Sequence, residues 1–464
     1  MEPVPFLIVL LLLVTPAWGQ GRQPAPPDKP FVTLSAETFT YRSFEDDHGG
    51  FYLIWPQTEN ETKTLIAQHI DGQGNVLWSE QGKSLVHPVA KEAYWEAGPD
   101  AKGGVLVTWE QDNRVWVRRF DADGKSLWRS KYERLSVSST TQTFPTLVAD
   151  GSGGAFVVWQ EKFLPASPTG VLARSVLMMQ HVNAAGAPLW TPAGSRVSLR
   201  PSDQKRPSIV YDGSAGMVVA WRDFRESASQ LQIQRVDYQG TRLWGLQGVV
   251  ITAPGGDPER PPHLGAVGAG SAVVAWKASS SGTDRIFMQR VDASGKLSWD
   301  PQGMELTRGN WQEWNPVLHG DGEGGTWVAW EDHRNSQNWV AYVQHLHIDG
   351  TSGWPAGETA LTTVAADQGH LGITDDGQKG ILTAWSDNRN GTLGVYLQEI
   401  DVNGKPLLGP DGLTIATQLV NPQNPQIISL TPGLAAVSWA DAPSKGRWSL
   451  YWKRVSLTVP GGAK

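Results

Sequence analysis

A short apolar run ending in tryptophan recurs eight times along the 464-residue chain. The runs are FYLIW at Trp55, VLVTW at Trp109, AFVVW at Trp159, MVVAW at Trp221, AVVAW at Trp276, TWVAW at Trp330, ILTAW at Trp385 and AAVSW at Trp439. Successive tryptophans stand 54, 50, 62, 55, 54, 55 and 54 residues apart. A unit of this size cannot bury its apolar face alone, so neighbouring units must stack to form the core.

Each unit has the same internal order. In PSIVYDGSAGMVVAWRDFR (Pro207–Arg225) an apolar run meets a D-G-x-x-G turn and then a second run that ends in Trp. LQIQRVD (Leu231–Asp237) follows, then a glycine turn, then TRLWGLQGVVIT (Thr241–Thr252). Glycine takes positive φ, and Asp hydrogen-bonds its own backbone, so both mark hairpin turns. The runs are short and rich in β-branched and aromatic residues, which predicts four antiparallel strands, A to D, per unit. A glutamine on strand C precedes a tryptophan by ten residues in five units: Gln68/Trp78, Gln180/Trp190, Gln234/Trp244, Gln289/Trp299 and Gln344/Trp354.

Eight four-stranded units predict an all-β fold, an eight-bladed β-propeller; a seven-bladed ring with one decayed unit is the alternative. The last unit ends after its third strand, and an orphan strand (Pro30–Ser35) begins the repeat region, so the N-terminal strand is expected to complete the last blade. The propeller is expected over 30–459, with a disordered tail at 460–464. Phe6–Val14 has the length of a signal-peptide h-region, although the first five residues lack Lys and Arg. Residues 1–19 therefore read as a signal peptide and 20–29 as a Pro-rich linker, and the protein is expected to be secreted, extracellular or periplasmic, with no membrane span.

In a blade, strand A lines the channel and strand D lies outermost. The A–B and C–D turns then share one face; the B–C loops and D-to-A crossings share the other. The units resemble the W-x-D-x-R repeats of secreted bacterial β-propellers, and the resemblance covers about residues 30–459. It implies the fold and export rather than an activity. A fainter likeness to sialidase-type aspartate-box propellers lacks their S-x-D-x-G-x-T-W order.

Several groups are candidates for chemistry. An x-D-x-R cluster recurs at Asp112/Arg114, Asp223/Arg225, Asp332/Arg334 and Asp387/Arg389. Repetition around a ring favours a structural fastening, for which the planar guanidinium is suited. The acidic glycine turns, and Asp121 with Asp123, lack the converging oxygens a calcium site needs. His345 and His347 share a strand face, but His345 takes the place of Arg235 and Arg290, so no zinc site is expected. No metal and no cofactor is expected. The chain has no cysteine, which removes disulfides and thiolate chemistry. A net charge of -7 without a basic block argues against nucleic acid as a partner.

Trp311 and Trp314 exceed what the repeat requires, and with Glu331, His333 and Trp339 they form the expected ligand-binding group, all on the B–C and D–A face. Indole faces stack on sugar rings and anchor interfaces. The Phe163–Ser175 insertion lies on the same face. The expectation is a monomeric, non-enzymatic binding or scaffold propeller that recognises a glycan or protein. The alternative is a glycan-active hydrolase or lyase with carboxylates and arginines at the channel mouth; no catalytic residue stands out.

Overall fold

The computed structural model describes residues 30–457 except 36–39, 60–61, 91–92, 129–133, 164–173, 201, 226–227, 252–260, 281, 310, 336 and 390. The signal-peptide, linker and tail segments, most of the Phe163–Ser175 insertion and the Arg225 side chain lie outside the described residues.

The described chain forms eight antiparallel sheets, seven of four strands and one of three. Each is one blade: blade 6, for example, runs Glu313–Gly320, Thr326–Asp332, Val340–Leu346 and Thr359–Ala360 as strands A to D. Blade 2 is the three-stranded one, with a single bridge from Trp116 to Arg134 where its fourth strand would lie. Each strand A contacts strand A of the next blade, from blade 1 through blade 8 and back to blade 1. The fold is an eight-bladed β-propeller, closed as expected: Val32–Ser35 pairs with Arg447–Ser456 of blade 8, with Val32 opposite Leu450.

Burial follows the same symmetry. Eight apolar clusters sit one at each blade–blade interface, including Tyr41, Leu53 and Trp55 against Ala436 and Leu450 where blade 1 meets blade 8. No blade has a core of its own, which is why the period, rather than any one segment, decides the fold.

The ten-residue spacing has a local cause. The Gln68 side-chain amide donates to the Ser79 carbonyl at 2.6 Å, and its oxygen accepts the Trp78 amide at 3.1 Å. Gln180, Gln234, Gln289 and Gln398 clamp their own C–D turns in the same way. The tryptophan held there then reaches the next blade. Trp78, Trp128, Trp190, Trp244, Trp299 and Trp354 each donate the indole N–H to a carbonyl of the following C–D turn, at 2.9–3.1 Å. Each ring also covers a glycine of that turn: at Gly240 (φ +84) an added Cβ would lie 3.0 Å from Trp190.

The aspartates of the A–B turns are saturated. Asp212 Oδ1 accepts the amides of Ser214, Ala215 and Gly216, and its Oδ2 accepts Arg235 Nε at 2.8 Å. His69, Arg119, His181 and His345 fill the place of Arg235 against Asp46, Asp100, Asp150 and Asp321. Burial alone would raise the Asp150 carboxyl, but hydrogen bonds from His181, Ser152 and Gly154 outweigh it and bring it down to about 2. These turns spend their oxygens on protein donors, and among the described residues no cluster of three or more His, Asp or Glu is placed to hold a metal.

Candidate functional site

The W-x-D-x-R stretches resolve into two arrangements. Asp332 is fully buried, accepts the Trp330 indole N–H at 3.2 Å and takes Arg334 Nη2 at 2.6 Å. Arg334 lies 3.9 Å from the centre of the Tyr342 ring and also donates to Glu358 at 2.5 Å. Asp387, Trp385 and Arg389 repeat this, with Arg389 over Tyr396 at 3.7 Å. In blade 4, Asp223 is buried and accepts Ser202 Oγ at 2.5 Å.

Blade 2 differs. Asp112 stands three residues after its tryptophan, not two, and forms with Asn113 a hairpin turn in which both have positive φ (53° and 58°). Gln111 accepts the Trp109 indole N–H at 3.2 Å instead, and Arg114 donates to the carbonyls of Asn113 and Thr140. Asp112/Arg114 is therefore out of register with the other pairs. The two-residue turn needs αL-tolerant residues, and Asp-Asn supplies them.

The expected ligand-binding residues, Trp311, Trp314, Glu331, His333 and Trp339, gather around blade 6. Trp314 sits within strand A of that blade rather than in the crossing before it, because a bulge between Trp314 and Val317 lets the strand run on. At the bulge Asn315 has φ 52°. Strand A of blade 7 repeats the device, with a register shift between Gly369 and Gly372 and His370 at φ 58°. A non-glycine residue held in this region persists only when its surroundings fix it. Here Glu331 does so: its buried carboxylate accepts the His370 amide at 2.9 Å and the Asn315 side-chain amide at 3.0 Å.

Between blades 6 and 7 these residues line a cleft of about 400 Å³, with Trp314, Asn315, Glu331, Trp339, Asp367 and His370 on its walls. The Trp314 and Trp339 rings are 5.5 Å apart at 53°. Trp339 is positioned from blade 7: its amide donates to Asp367 at 3.1 Å, and its carbonyl accepts the Gln368 amide at 2.8 Å. His333 packs beside Trp339 at 5.2 Å, and the Lys277 ammonium of blade 5 lies 4.7 Å from the Trp314 ring. Trp311 stands apart, against the Arg334 guanidinium at 5.1 Å, and does not line the cleft.

Three of the five expected residues thus meet in one cleft, a fourth supports it, and Asn315, Asp367 and His370 were not anticipated. The signal for Asn315 was present as a Pro after the bulge residue, found among the described residues in four strands A: Phe144-Pro145, Arg206-Pro207, Asn315-Pro316 and Asn424-Pro425, all with positive φ before the proline. The His370 imidazole is pushed below its ordinary value by partial burial at the cleft wall.

The cleft is the kind of site a propeller offers, two rings and a few polar groups in the seam between rigid blades. No protein-family model matches the sequence, and no curated protein matches it. The structural neighbours include glycan-active propellers. An ulvan lyase is 11% identical, with 75% of this chain and 89% of that chain covered and a TM-score of 0.45. A second polysaccharide lyase is 8% identical over 91% and 90%, with a TM-score of 0.42. An endo-arabinase from Bacteroides thetaiotaomicron is 14% identical over 56% and 96%, with a TM-score of 0.31. Among the described residues no helix is long and apolar enough to cross a membrane.

Proposed function

We propose that this protein is an exported β-propeller that binds carbohydrate in the cleft between blades 6 and 7. One observation carries the reading: Trp314 and Trp339 stand 5.5 Å apart on the wall of an open cleft that also holds Asn315, Asp367 and His370. Indole faces cover the apolar face of a pyranose, while amide, carboxylate and imidazole groups take its hydroxyls. The repeat does not call for these rings, since the residue matching Trp314 is Thr143 in blade 3, Gly369 in blade 7 and Gln423 in blade 8. The W-x-D-x-R pairs act as fastenings, since the Asp332 and Asp387 carboxylates are already taken by protein donors.

A glycan array with the folded protein tests this. Binding to a defined saccharide, weakened at least tenfold in Trp314→Ala and Trp339→Ala, is expected. An array without signal removes the reading.

A second reading, glycan cleavage, is favoured by His370. Its lowered pKa leaves the imidazole neutral near pH 7, able to accept a proton at the wall of the same cleft. It predicts polysaccharide turnover that rises as pH increases through the His370 pKa and disappears in His370→Ala. A broad panel of polysaccharides left intact rules it out.

A further inference from the structure

We infer that the interface of blades 2 and 3 carries a second sugar-binding site, built like the cleft between blades 6 and 7 and set on the opposite side of the channel mouth. This rests on the reading that the blade 6–7 cleft binds a saccharide.

The two places share one construction. In blade 6, Trp314 on strand A lies opposite Glu331 on strand B. The Glu331 carboxylate then holds the amide of His370, the positive-φ bulge residue of blade 7. In blade 2, the Glu110 amide donates to the Tyr94 carbonyl at 3.0 Å, which places Tyr94 opposite Glu110. The Glu110 carboxylate holds the amide of Phe144, the positive-φ bulge residue of blade 3 (φ 52°). Aromatic residue, glutamate and strained residue of the next blade thus recur in the same order.

Among the described residues, blades 3, 4, 7 and 8 do not repeat it. Opposite the residue after the tryptophan stand Thr143 in blade 3, Lys205 in blade 4, Gly369 in blade 7 and Gln423 in blade 8. Ring closure therefore does not demand an aromatic residue there. These two aromatic copies, in blades 2 and 6 among the described residues, lie four blades apart in a ring of eight, which puts them across the mouth from each other.

The chemistry at the second place also suits a sugar. Tyr94 is 49% exposed, a large ring area to leave against water. Its ring centre is 4.1 Å from that of Phe144, and the Arg206 guanidinium lies 5.5 Å from the Phe144 ring. Two rings and a multi-donor cation offer an apolar platform with hydrogen bonds for ring hydroxyls or a uronate carboxylate. Glu110 acts here as a positioning residue, since its carboxylate is committed to the bulge.

Calorimetric titration with cellotriose and trigalacturonate, each short enough to occupy one site, counts the sites. Two sites are expected in the wild type, one in Tyr94→Ala, one in Trp314→Ala and none in the double variant, with melting temperatures confirming the fold. Tyr94→Trp, which keeps a ring, is expected to tighten the second site alone. A single site that Trp314→Ala abolishes, with Tyr94→Ala and Tyr94→Trp indistinguishable from wild type, overturns this inference and leaves the blade 6–7 reading standing. If neither sugar binds the wild type while the array shows a saccharide ligand, that ligand's own trisaccharide repeats the count: two sites support the inference and one overturns it. An empty array removes both readings.

Discussion

The two faces of the ring are built differently. On the A–B and C–D face most blades repeat the same parts: a saturated aspartate turn, a glutamine clamp in five blades and a tryptophan laid over the next blade's glycine in six. On the B–C and D–A face the backbone device repeats, among the described residues as a bulge with positive φ in five strands A, but the side chains it displays are Phe144, Arg206, Asn315, His370 and Asn424. One face holds the ring together and the other varies what it shows. Recognition on a fixed scaffold is expected where the frame is constant and the displayed groups are not.

This contrast can be broken from either side. The largest effect is expected at Asp212, whose fully buried carboxylate accepts three amides and Arg235. Asp212→Ala strands these donors and should cost about 3–5 kcal/mol in urea denaturation. A loss under about 1 kcal/mol would mean the turn face is not what fastens the ring. Next comes Gly240→Ala, which forces a side chain into positive φ beneath Trp190 and should cost about 2 kcal/mol. Gly245→Ala, with the same φ sign but open space around it, should cost about half as much, so the difference isolates the tryptophan contact.

Acid sharpens the comparison at Asp150. Its folded pKa, about 2, lies below the ordinary 3.8, so its contribution is fully present above about pH 4. It is lost as pH falls from there through about 2, a change of up to about 2 kcal/mol. Thermal melts across this window should steepen in the wild type and flatten in Asp150→Asn. The smallest effect on the fold is expected on the variable face: His370→Gly relieves a left-handed backbone and should change stability by no more than about 1 kcal/mol. A loss as large as that at Asp212 would show that the displayed residues are also fastenings.

The fold was legible because its evidence is redundant. Eight copies of one pattern outvote any local ambiguity, and the missing fourth strand of the last unit has its partner in Val32–Ser35. The fastenings were only half legible. Asp332/Arg334 and Asp387/Arg389 were found as sequence neighbours, whereas Asp212 with Arg235 joins strands that the linear pattern does not put side by side. Asp112 was misaligned because Gln111 holds the place of the buried aspartate in this copy, and Asp112 follows it in the two-residue turn. The cleft was legible in its tryptophans, which stand out against seven relatives. Asp367 and His370 were hidden because they come from the next blade, and Glu331, read as particular to its copy, proved to share its role with Glu110 and with Gln160, which accepts the Arg206 amide at 2.9 Å.

The tryptophan laid over the next blade's glycine has a direction. Blades 1 to 6 each give a tryptophan ring to their successor, whereas blade 7 has Leu408 at this position, so these six seams are head-to-tail, like the heterologous contact between subunits of a cyclic oligomer. Such contacts close only if the rotation per step divides the circle, here roughly 45° for eight steps. At the seam that closes the ring, Trp452 from strand C of blade 8 comes within 3.3 Å of the position a side chain would take at Gly74 of blade 1. The blade count is therefore a property of one repeated angle, and adding or deleting a single blade would require all the seams to change together.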